Sequence, residues 1–142
     1  MALPIGMLPC TAVAGASRLP RLYSTVVMHG ASFSNVFAVR PRSIVVDSAD
    51  GGELVINWIQ WTHSSASGNG TAHPDHGTYP IKVRASDVID GEFTHLTVTG
   101  KQPTGRWYAD QLVLADMGDS TLTWARQEWV GNSESGLSLW PN

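Results

Sequence analysis

Cysteine is almost missing from this chain of 142 residues. Cys10 stands alone, so no intramolecular disulfide and no thiolate metal cluster can form. An all-β domain of this size in an oxidising compartment commonly carries a disulfide, so the single thiol points to a reducing one. Cys10 is read as a small apolar side chain and not as a nucleophile. Charge is scarce as well. Asp, Glu, Lys and Arg make up 15% of residues, well below the usual quarter or so. Lysine occurs only at Lys82 and Lys101. A formal net charge of -3 and a pI near 5.9 leave no broad electrostatic footprint for nucleic acid, so no direct nucleic-acid binding is expected. Arg18, Arg21, Arg40 and Arg42 are a loose basic group near the start. No apolar run approaches the roughly 20 residues of a membrane span, and no stretch carries helical periodicity.

What is present is a β rhythm. From Arg21 to Arg126, short β-branched and aromatic runs alternate with Gly, Asp, Asn and Pro clusters, as in packed antiparallel sheets or a barrel. Strands are expected at Leu22 to Met28, Val36 to Arg40 and Ser43 to Asp47, the last two broken at Pro41. Glu53 to Thr62 is the next. In it Leu54, Ile56 and Trp58 share one face, and Val55, Ile59 and Trp61 the other. Residues 63–78 contain nine Gly, Ser and His positions and are expected to form one long loop. A structureless loop of that length is uncommon and is usually functional. Tyr79, Ile81, Val83 and Ala85 alternate with polar neighbours, giving one buried and one wet face. Asp90-Gly91 turns the chain into Phe93 to Thr99, with Leu96 and Val98 facing inward. Trp107 to Ala115 and Ser120 to Arg126 complete the set.

The ends differ from the middle. Residues 1–20 combine an apolar, nearly uncharged composition with three prolines and two glycines, which suits neither helix nor strand. They lack the basic start of a signal peptide, so synthesis in the cytoplasm is expected. The organisation expected is an extended apolar N-terminal arm over 1–20, a β-sandwich domain over 21–131 and a tail over 132–142. Leu3, Ile5 and Leu8 in the arm, with Leu139 and Trp140 in the tail, are the expected contacts with other subunits. Removing residues 1–20 is then expected to leave a folded domain that no longer assembles.

Candidate chemistry is thin. His63, His73 and His76, with Asp75, are residue types that zinc accepts, but their spacing matches no compact ligand motif. No metal or cofactor is therefore assigned, and a metal-dependent β-barrel enzyme stands as a third reading. No Gly-x-Ser-x-Gly elbow and no phosphate-binding glycine loop is present. Asp87 with Asp90, and Asp116 with Asp119, flank turns, where Asp forms turns readily. Asn69-Gly70-Thr71 has the form of a glycosylation sequon and is read as a turn. The six tryptophans serve either as core and interface residues or, at Trp61, Trp107 and Tyr108, as a stacking platform for sugar.

The expected fold is all-β: a single antiparallel β-sandwich, jelly-roll-like. The expected role is that of a non-enzymatic structural subunit joining a multimeric, homo-oligomeric assembly, without membrane contact. In general type the chain resembles the small all-β accessory proteins of tailed-phage particles, such as capsid decoration (cement) or tail proteins, which implies a virion location. The alternative is a carbohydrate-binding β-sandwich module.

Overall fold

The computed structural model describes residues 18–27, 33–47, 52–73, 77–101, 104–118 and 121–141. The expected contacts Leu3, Ile5 and Leu8 and the candidate ligand His76 lie outside them. The described chain is almost wholly β: β1 (Leu22–Val27), β2 (Phe33–Ala38), β3 (Ser43–Asp47), β4 (Gly52–Trp61), β5 (Ala66–His73), β6 (Tyr79–Ile89), β7 (Glu92–Lys101), β8 (Trp107–Asp116), β9 (Leu122–Arg126) and β10 (Ser138–Leu139). Among the described residues a 3-10 turn covers Gln127–Trp129.

β3 to β8 pair in order as an antiparallel meander. β9 then pairs antiparallel with β8 and parallel with β3. That double pairing closes seven strands into a barrel and leaves no free edge among them. All-β holds as expected, but the strand order is that of a closed barrel, with β1 and β2 paired antiparallel as a separate two-stranded sheet, and not that of the expected sandwich. The difference traces to residues 63–78. Taken as a loop, they leave β4 and β6 with open edges, and the runs divide into two sheets. Instead Ala66–His73 forms β5 and bridges β4 and β6 along its length.

β5 escapes sequence reading because almost nothing in it favours a strand. Its inward positions are Ala66, Gly68, Gly70 and Ala72, and its outward ones Ser67, Asn69, Thr71 and His73. The alternation is present, but in side-chain size and not in hydrophobicity. The small residues have a steric cause. A Cβ on Gly70 falls 2.0 Å from the Val55 carbonyl oxygen, and one on Gly68 falls 2.5 Å from that of Asn57. Here β4 folds over β5, and only glycine admits so close a backbone.

A bulge in β4 accounts for the second departure. The register with β5 shifts by one between Trp58 and Gln60, so Ile59 is the extra residue and stands 68% exposed. One added residue reverses the facing of all that follow. Trp61 thereby joins Leu54, Ile56 and Trp58 on the inner side, and the rings of Trp58 and Trp61 meet edge-on at 4.9 Å. The expectation that these two tryptophans face opposite ways fails for this reason. β6 over residues 79–86 and β7 over residues 95–100 follow their alternation, with Ile81, Val83, Ala85, Leu96 and Val98 all in the core.

One end of the barrel is plugged by its own chain. There the starts of β3, β7 and β9 meet the ends of β4 and β8, and residues 18–24 cross them. The Arg21 backbone N–H donates to the Gly91 carbonyl at 2.9 Å and the Phe93 N–H donates to the Arg21 carbonyl at 2.9 Å. The Arg21 guanidinium also pairs with the buried Glu92 carboxylate, and the Ser24 hydroxyl donates to the Ser43 carbonyl. Two core indoles fix the plug from below. Trp61 Nε1 donates to the Pro20 carbonyl at 2.9 Å and Trp124 Nε1 to the Tyr23 carbonyl at 3.0 Å. Each buried indole N–H therefore has the acceptor it needs. The plug begins earlier than the expected arm boundary at residue 20, because Leu19 already packs against the core.

Candidate functional site

An apolar concavity adjoins the plugged end, between the β6–β7 hairpin and the C-terminal segment. The hairpin turns through Asp90 (φ 53) and Gly91 (φ 82), the two positive φ values that a tight Asp-Gly turn needs. Before the turn, Asp87 also adopts a left-handed backbone (φ 58). Its pairing with Thr94 drops out of the ladder, and the Thr94 hydroxyl donates to the Asp87 carbonyl at 2.7 Å instead. Beyond this kink the hairpin tip leaves the wall, which exposes Val88 and leaves Ile89 43% accessible.

The opposite bank is β10. Ala115 and Asp116 pair with β9 on one side and with Leu139 and Ser138 on the other. β10 thus takes the place beside β8 that β7 vacates after His95 pairs with Val113. The Trp140 N–H donates to the Leu114 carbonyl at 3.0 Å and extends that pairing. Leu139 points out and is 57% exposed. Between the banks lies a groove of about 570 Å³. Buried Thr94 and Val113 line it, as do Ile89, Leu139, Trp140 and Pro141, and Asp87, His95 and Gln127 supply its polar groups. The His95 Nδ1 lies 3.4 Å from the Ser86 hydroxyl.

Leu139 forms a bank of this groove. Trp140 is half-buried, with its ring 5.6 Å from that of Phe37 of the same chain. Trp61, one of three aromatics assigned to sugar stacking, is 7% exposed with its N–H committed to Pro20, so it is a core residue. Trp107 is 71% exposed, and the Lys101 ammonium lies 5.6 Å from its ring centre. Tyr108 lies in β8 on the strand beside it, but its side chain is outside the described set. His63 sits in the turn after β4, where the Thr62 hydroxyl accepts from the Ser65 N–H at 3.1 Å. His73 ends β5 opposite Glu53. The two imidazoles thus belong to opposite ends of a strand that spans roughly 23 Å at about 3.3 Å per residue. Among the described residues no three His, Cys, Asp or Glu side chains converge as metal ligands.

Sequence reasoning missed Ile89, Val113 and the groove itself. The available signal was Val88-Ile89 directly before Asp90-Gly91, two adjacent apolar residues at a hairpin tip where alternation calls for one. Comparison with protein-family models, with curated proteins and with solved structures finds no match for this chain.

Proposed function

We propose that this protein is a non-enzymatic structural subunit that assembles with copies of itself, in the manner of a decoration or tail accessory protein of a bacterial virus particle. The observation that carries the reading is the groove between Ile89 and Leu139, two large aliphatic side chains exposed to solvent on its two banks. Such side chains are stabilised when a partner covers them, at about 25 cal/mol for each Å² of apolar surface removed from water. The first 17 residues fit this role in composition. They include Leu3, Ile5 and Leu8 and no charged side chain, so an apolar groove can receive them without stranding a charge. The low overall charge also reduces the repulsion between copies.

Light scattering on the full chain tests the reading. A mass that is a multiple of 15.3 kDa, falling to the single-chain value for Ile89→Asp with Leu139→Asp, is the expected result. Both side chains are exposed, so the double variant keeps its fold, which circular dichroism checks. A single-chain mass for the unaltered protein across the accessible concentration range sinks the proposal.

A further inference from the structure

The outer wall of the barrel carries a second groove, of about 570 Å³, where β3 begins and β4 and β5 run past it. Its lining includes Arg40, Arg42, Asn57, Trp58, Asn69 and Thr71 and no carboxylate. Neither arginine takes part in any ion pair among the described residues. The corner that carries them is fixed in place. The Trp58 indole donates to the Pro41 carbonyl at 2.7 Å and the Ile56 N–H to the Arg42 carbonyl at 2.8 Å. Arg40 holds a left-handed backbone (φ 55), where glycine is at ease and a residue with a Cβ is strained. A cation without an ion-pair partner among the described residues thus occupies a strained position, and a second such cation lines the same groove with the amides of Asn57 and Asn69.

The polarity continues along the wall. Asn57 faces Asn69 across the β4–β5 ladder and Asn69 faces Lys82 across the next. A shallower groove shares Asn69 and is lined also by Lys82, Arg84, Thr97 and Thr99, again without a carboxylate. In a chain of net charge -3, this is a local reversal of sign. From β4 to β6 the track spans about 10 Å, two strand spacings, and it continues over β7.

We infer that this wall binds an acidic oligosaccharide, with Arg40 and Arg42 holding its carboxylate or sulfate and Asn57, Asn69 and Thr71 its hydroxyls. Guanidinium groups match pairs of carboxylate or sulfate oxygens with paired hydrogen bonds, and side-chain amides both donate to and accept from hydroxyls. A single-stranded nucleic acid is the poorer match. It needs open aromatic faces for its bases, whereas Trp58 is half-buried with its ring packed on Trp61 and its N–H bound to Pro41. The inference is independent of the assembly reading, since it uses a different face.

Calorimetric titration of the full chain tests it, with tri-galacturonic acid and a heparin-derived hexasaccharide as the carboxylate and sulfate probes. A neutral galactose trimer and a dT oligonucleotide are the comparisons. One or both acidic sugars bind, more weakly as salt rises, and the neutral trimer and the oligonucleotide bind at least about tenfold more weakly, the worth of one charge-assisted contact. Arg40→Gly suits the left-handed backbone and keeps the fold, and with Arg42→Gln it lowers affinity by about tenfold or more. Arg106→Gln, on the distant β7–β8 connection, leaves affinity unchanged. No binding of either acidic sugar at millimolar concentration, equal binding of the neutral trimer, tighter binding of the oligonucleotide, or insensitivity to the two arginine substitutions overturns the inference.

Discussion

Tryptophan does opposite work at the two ends of the barrel. At the plugged end, Trp61 and Trp124 lie in the core, and each gives its indole proton to a backbone carbonyl of the crossing segment. At the other end, where β7 finishes and β8 starts, Trp107 stands in solvent with a lysine near its ring. The same side chain is a structural bolt in one place and a surface group in the other. What separates them is the presence of a chain segment whose carbonyls need donors. Substitution should therefore divide the tryptophans sharply. Trp124→Ala removes the largest fully buried side chain and leaves the Tyr23 carbonyl without its donor, a loss of about 3–5 kcal/mol. Trp107→Ala stays within about 0.5 kcal/mol. Urea denaturation of the two variants measures this directly, and similar losses would dissolve the distinction.

A comparable contrast separates two glycines. Gly70 lies in β5 under the Val55 carbonyl, so Gly70→Ala must push β4 away, at about 3 kcal/mol, the upper end of ordinary overpacking. Gly91 sits in the hairpin turn with open space around it but a φ of +82°, so Gly91→Ala meets only backbone strain of roughly 1–2 kcal/mol. The first substitution acts on closure of the barrel and the second on the exposed tip. If Gly91→Ala proves the more damaging, the close approach of β4 and β5 is not what makes β5 a glycine strand.

The plug itself can be divided by truncation. Removing residues 1–17 leaves Leu19 and Pro20 in place and should cost little stability while abolishing assembly. Removing residues 1–20 takes away the acceptor of the Trp61 indole and should cost about 2 kcal/mol more, the scale of one buried polar group left unpaired. Trp61→Phe tests the same contact from the other partner and should leave the Pro20 carbonyl unsatisfied at similar cost. If both truncations melt alike, residues 18–20 are not part of the domain.

These contrasts mark how far the sequence could be read. β6 over residues 79–86, β7 over residues 95–99 and the Asp90-Gly91 turn are legible because apolar and polar residues alternate there and the turn chemistry is specific. β5 was not, since Ala-Ser-Gly-Asn-Gly-Thr-Ala-His has the composition of a loop and becomes a strand only by filling the gap between two partners. Trp61 was assigned to the wrong face because a bulge at Ile59 leaves no trace in composition. The groove at Ile89 depends on the kink at Asp87 and on a two-residue strand from the far end of the sequence. None of these three is a local property. Leu139 was legible as an apolar residue in need of cover, but the bank it shares with Ile89 arises only when β10 reaches β8.

The smallest expected effect lies within the plug, at Tyr23. Burial raises its phenol above the ordinary value of 10.0, and a hydrogen bond with the Asn35 side chain works the other way. Below pH 10 the phenol is protonated whether the chain is folded or unfolded, so its full contribution to stability is present. As pH climbs past 10 the unfolded phenol ionises first, while burial keeps the folded one neutral, and stability falls until the raised folded value is passed. Tyr23→Phe should flatten that part of the alkaline decline. The check is the difference in unfolding free energy between pH 9 and pH 11 for the two proteins, which cancels the titration of lysines and the other tyrosines. An identical decline in both means that the Tyr23 hydroxyl remains in contact with water, and that the plug covers the barrel end less tightly than its indole contacts imply.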